Sequence, residues 1–222
     1  MAQIKNNVLG NPSGKLGQLV FRTLNGKTFV SVRTKKYKAT KSKLAKVVRN
    51  GFKENNLLAS TINKNEMLKL IWQSAKIDAR SAYTKILKTN LKLSLNNGVT
   101  ISNVLVPKSN LSIESSITFL DNGELKICIN KKSIDKFLKS KSELNCFACF
   151  FFTEPTGKNR KPFQAELLTS NVFESDKNNV AFFYKSVTNK SYKKAIVFSS
   201  LVITKESKIS KWSSTNVKEF QF

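Results

Sequence analysis

Two runs of β-branched and aromatic residues open the patterned part of the chain, Gln18–Leu24 and Lys27–Arg33, with Asn25-Gly26 between them. Asn-Gly tolerates the positive φ angles of a two-residue type I′ turn, so the pattern predicts a β-hairpin. From Leu44 the apolar spacing becomes helical. Leu44, Val47, Val48, Gly51, Phe52, Leu58, Ala59 and Ile62 fall on one face, and Lys46, Arg49 and Lys53 fall opposite. Glu66–Lys76 continues as a second helix with Met67, Leu70, Ile71 and Trp72. A third is expected with Asp78 as its cap and Ala79, Ala82, Tyr83, Ile86 and Leu87 on its buried face.

Beyond Asn96-Asn97-Gly98 the helical period disappears. Strand-like runs follow at Val99–Val106, Ile113–Phe119, Glu124–Asn130, Asn145–Thr153, Phe163–Thr169, Val180–Lys185 and Ala195–Thr204. Short strands at this spacing predict an immunoglobulin-like antiparallel β-sandwich. The fold expected is α+β: an N-terminal β-hairpin with about three helices at 1–95, then the sandwich at 96–222. The polar stretch after Thr204 either docks as a last strand or trails. One run breaks the alternation. Cys146–Phe152 is apolar throughout, so both faces of that strand must be covered. The sandwich core is expected on one face and the helices on the other, where Leu68, Ile71 and Trp72 need a partner.

Charge changes the picture most. The chain of 222 residues carries 39 Lys and Arg against 14 acids, a net charge of +25. Thirteen of the basic residues and none of the acids precede Glu54. Such a field attracts phosphate polymers and other polyanions. With 40% hydrophobic residues and 16 Phe, the chain has ample material for a packed core. No stretch is long and apolar enough for a spanning helix, and no secretory pattern opens the chain, so a cytoplasmic setting without membrane partners is expected.

Gly14-Lys15-Leu16-Gly17, the hairpin with Asn25-Gly26-Lys27, the basic strand end at Arg33–Lys38 and the helix after it resemble a family of uncharacterised proteins from Bacteroidota and their relatives. The motif likeness covers about residues 8–75, and the architectural likeness covers most of the chain. Thr34-Lys35 departs from the family pattern, which has a Pro near that position. The resemblance implies the two-part layout with a C-terminal β-sandwich and no particular activity.

The chemistry-bearing motifs point away from catalysis. Gly10–Lys15 has three residues between its glycines and Leu16 after Lys15, whereas a phosphate loop needs four and a hydroxyl. Gly14–Gly17 matches the RNA-clamping loop of KH domains in length, but a strand follows it rather than a helix, which predicts a turn. Cys146 and Cys149 would face opposite sides of a strand. The chain has no His, hence neither the commonest general base nor the commonest metal ligand. No catalytic residue, metal or cofactor is therefore assigned. The candidate nucleic-acid-binding residues are Arg22, Arg33, Lys35, Lys36, Tyr37, Lys38, Lys41, Lys43, Lys46, Arg49 and Lys53. Phe21 and Phe29 are expected inside the hairpin, leaving Tyr37 as the exposed ring among cations. The expected function is non-catalytic binding of a polyanion, foremost nucleic acid, with low sequence specificity. The alternative is a structural or assembly subunit of a particle, filament or phage-like virion. In that case the chain would self-associate and the basic arm would meet a neighbour or packaged nucleic acid.

Overall fold

The structure is a computed structural model that describes residues 2–4, 13–24, 26–33, 42–94, 98–109, 111–120, 124–137, 142–157, 161–171, 173–176, 178–184 and 191–222. The chain divides into two compact units, Met1–Ser42 and Lys43–Phe222. The second unit starts with the first helix.

The first unit is an antiparallel sheet in the order β1-β4-β3-β2. Its strands are β1 (Ala2–Ile4), β2 (Gly14–Leu16), β3 (Leu19–Leu24) and β4 (Lys27–Val32). The predicted hairpin is β3–β4. Leu24 pairs with Lys27, and Gly26 has a φ of 73°, as an Asn-Gly turn requires. Gly14-Lys15-Leu16-Gly17 is strand and turn, since Leu16 pairs with Leu19. Phe21 and Phe29 are half-buried, and Thr28 is the one fully buried side chain among the described residues of this unit.

The second unit begins with three helices, α1 (Lys43–Asn63), α2 (Glu66–Ser74) and α3 (Ala82–Leu93). Asn65 caps α2 by accepting from Leu68 N. Ser81, not Asp78, caps α3. Its hydroxyl accepts from Thr84 N while Thr84 Oγ1 accepts from Ser81 N, a reciprocal capping box. Asp78 lies three residues too early to reach those orphan N–H groups.

Antiparallel strands follow: β5 (Ser115–Phe119), β6 (Leu125–Asn130), then the short helix α4 (Lys131–Asp135), β7 (Ser142–Pro155), β8 (Phe163–Ser170), β9 (Phe173–Ser175), β10 (Asn179–Tyr184), β11 (Tyr192–Lys205), β12 (Lys208–Trp212) and β13 (Asn216–Gln221). One sheet runs β5-β6-β10-β9 and the other β12-β11-β7-β8, with β13 also on β11. The polar C-terminal stretch thus docks. β13 pairs with Lys194–Ser199 and β12 with Val202–Lys205, so the two share one 14-residue partner.

The uninterrupted apolar run in β7 is covered on both faces. Cys146, Ala148, Phe150 and Phe152 meet Ile127, Ile129, Val180 and Phe182 of the facing sheet. Phe147, Cys149 and Phe151 meet Leu58, Ile62, Leu68, Ile71 and Trp72 of the helices. The β12-β11-β7-β8 sheet is thus the middle layer between helices and second sheet. Burying a large apolar side chain stabilises by about 1.5–3 kcal/mol, and this layer does so on two sides.

Val99–Val106 is not a strand, although its residues suit one. It is a packed loop whose backbone is taken by side chains. Val99 N donates to Glu54 Oε2, Thr100 N to Asn103 Oδ1, Val104 N to Asn90 Oδ1 and Leu105 N to Thr215 Oγ1. Trp72 Nε1 and Trp212 Nε1 donate to Leu105 O and Pro107 O. With these partners the segment needs no ladder to satisfy its buried backbone.

Candidate nucleic-acid interface

The first three turns of α1 carry Lys43, Lys46, Arg49 and Lys53, all exposed. At about 100° per residue they form one stripe. No acid occurs in the helix's first turn. The next acid, Glu54, turns away: its Oε2 accepts from Val99 N at 2.9 Å. Burial raises the Glu54 pKa above the usual carboxylate value, and the Val99 hydrogen bond opposes that only in part.

The opposite face differs from expectation. Gly51, Asn55, Leu58, Ala59 and Ile62 are buried. Leu44, Val47, Val48 and Phe52 remain exposed, Leu44 to 75%. The helical periodicity is real, but only the C-terminal half of α1 lies over the rest of its unit. Amphipathic spacing reports a helix's face and not how far along its length that face is covered.

Of the other sequence candidates, Arg22 and Arg33 are exposed in the first unit. Lys35, Lys36, Tyr37, Lys38 and Lys41 lie outside the described residues. The structure brings together Lys43, Lys46, Arg49 and Lys53 on α1.

Cys146 and Cys149 lie on opposite faces of β7, in separate cores. Burial pushes both thiols up to about 12, which leaves them inert at neutral pH. Among the described residues, no group of three or more Cys, Asp and Glu could hold a metal ion. No helix among them is long and apolar enough to cross a membrane.

A second basic region escaped the sequence reading. A groove of about 990 Å³ is walled by Ile77, Leu93, Pro107 and Trp212 and rimmed by Lys76, Lys88, Lys92 and Lys108. Lys88 and Lys92, one turn apart on α3, are legible as a pair. Lys108 and Trp212 reach them only through the tertiary fold. Comparison with protein-family models, curated proteins and solved structures returned no match.

Proposed function

We propose that this protein binds nucleic acid as a polyanion, with little sequence preference and without transforming it. The observation that carries the reading is the α1 stripe: Lys43, Lys46, Arg49 and Lys53 stand exposed together with no carboxylate among residues 43–53. Lysine and arginine contacts to phosphate release counterions, and they position a chain without reading its bases. Four such contacts to duplex DNA give a log–log salt slope of about −3.6, so affinity falls about a hundredfold from ~50 to ~200 mM salt. Fluorescence anisotropy with a labelled duplex of mixed sequence tests this. Substituting Lys46, Arg49 and Lys53 together by Glu should weaken binding sharply and leave the melting temperature within about 2 °C, because all three are exposed. Absent binding at low salt, or affinity indifferent to salt, overturns the reading.

One observation favours assembly as a second reading. Leu44, Val47, Val48 and Phe52 form an apolar stripe on the same helix as the basic one, and such a stripe marks an interaction surface. Large regular particles in sedimentation at high salt would favour a subunit; a monomer would favour the binding module. The β portion of the second unit reads as immunoglobulin-like. The order β5-β6-β10-β9 facing β12-β11-β7-β8 corresponds to an ABED sheet facing GFC with one added C′ strand. That correspondence supports the architecture and carries no function of its own.

A further inference from the structure

We propose that the groove between α3, the segment after α2 and the end of β12 holds single-stranded nucleic acid, with an unstacked base against Trp212 and backbone phosphates on Lys76, Lys92 and Lys108. The proposal rests on nucleic-acid binding by the protein and gives it a particular site and a preferred form of ligand.

Three features meet there. The first is an apolar wall of Ile77, Leu93, Pro107 and Trp212. The volume of about 990 Å³ lies at the upper end of ligand pockets. Trp212 is only partly buried, and its indole N–H is already donated to Pro107 O at 3.2 Å. That bond pins the ring and leaves its carbon surface to the groove.

The second is unspent positive charge. Lys76, Lys92 and Lys108 are exposed, and no ion pair or side-chain hydrogen bond engages them among the described residues. Lys88 is partly engaged. Its Nζ donates to Asp78 O at 2.8 Å and lies 4.0 Å from Asp78 Oδ2. No carboxylate lines the groove itself.

The third is continuity. A neighbouring hollow of about 440 Å³ shares Lys108 and Trp212 and adds Phe137 and Lys211. The Lys211 ammonium sits 4.6 Å from the Phe137 ring centroid. Aromatic surface and lysine thus recur along one path, which is how single strands are held: bases stack on rings while cations follow the backbone. A duplex keeps its base faces stacked inside and cannot offer them to such a wall. A small amphiphile with one anionic head would need one lysine, whereas a polyphosphate uses several.

Tryptophan fluorescence tests this on the full chain. There are two Trp residues, and Trp72 is 0% exposed, so quenching by an added strand reports Trp212. An oligothymidylate of about twelve nucleotides should quench emission at low salt, and Trp212→Leu should abolish the quenching. A second variant guards against misfolding of the first. Lys92→Glu with Lys108→Glu keeps both indoles, should weaken oligothymidylate binding about tenfold or more, and should flatten the salt slope by about 1.4 with the melting temperature retained. Unchanged affinity in that double variant overturns the groove. So does equal quenching by duplex, or quenching by dodecyl phosphate with none by the oligonucleotide. Salt-sensitive anisotropy binding without Trp212 quenching sinks the groove alone, whereas no binding to either nucleic acid sinks the general reading with it.

Discussion

Asn103 Nδ2 donates to Asn55 Oδ1 at 3.2 Å, joining the loop after Gly98 to α1 across 48 positions of sequence. Both side chains are almost wholly buried. The same Nδ2 donates to Asn90 O and Asn90 Oδ1, while Asn103 Oδ1 accepts from Thr100 N. Removing the amide leaves several buried polar groups without partners. Asn103→Ala should therefore lower stability by about 2–4 kcal/mol in urea unfolding. A loss below about 0.5 kcal/mol would show that the network holds nothing.

Gly98 lies beside that loop with a φ of 92°, and a Cβ there would run into Glu54 Oε2. Gly98→Ala meets both a strained backbone and a clash, so a loss of about 1–3 kcal/mol is expected. Glu54→Ala in the same chain should relieve the clash but not the backbone strain. The double variant's loss should therefore fall short of the sum of the two single ones, and strict additivity would exclude the contact.

The buried thiols set a pH limit. Cys146 and Cys149 are raised from 9.0 to about 12 by burial. A raised thiol favours the folded state fully below its unfolded pKa, and that contribution is lost as pH climbs from about 9 to about 12. Tyr184 adds to the same trend. Burial and the neighbouring Cys146 raise its phenol, whose O–H donates to Cys146 O at 2.7 Å. Unfolding midpoints should hold level up to about pH 8.5 and then fall, less steeply in Cys149→Ala than in the parent. Neither thiol should react with an aromatic disulfide reagent at pH 8 before unfolding, and rapid native labelling of both would contradict their burial.

Truncation separates the layers. Residues 43–222 form one compact unit, so removing 1–42 should leave a soluble chain that unfolds cooperatively. Removing 1–94 strips Leu58, Ile62, Leu68, Ile71 and Trp72 from Phe147, Phe151 and Phe198. That chain should aggregate, because an uncovered apolar sheet face invites association. Phe151→Ala in the full chain should cost about 3–5 kcal/mol. A monomeric, soluble 95–222 fragment would show that the helices are not required to cover β7.

Local patterns identified most of the elements. Asn25-Gly26 marked the hairpin, and the Leu44–Ile62 spacing marked α1 to within a residue at each end. The apolar run at Cys146–Phe152 announced a strand buried on both faces. The short strand β9 was not legible, and the stretch holding β12 and β13 left docking open, because Phe173–Ser175, Lys208–Trp212 and Asn216–Gln221 carry mostly polar side chains and exist by pairing with longer partners. Val99–Val106 failed in the other direction. Its β-branched residues suit a strand, but Glu54, Asn90 and Thr215 occupy its N–H groups.

The sequence by itself determined the sign and placement of charge, the helical and strand periods, and the need for two apolar layers around β7. All of these depend on neighbours within a few positions, where the 3.6 and 2.0 residue periods act. The tertiary structure decided how far along α1 the apolar face is covered, which puts Leu44 and Phe52 in solvent and Leu58 in the core. It also decided that Trp212 and Lys108 join Lys76 and Lys92 around one groove. Trp212 lies over 100 positions from each of these lysines, and only closure of the chain around a shared core brings such residues together.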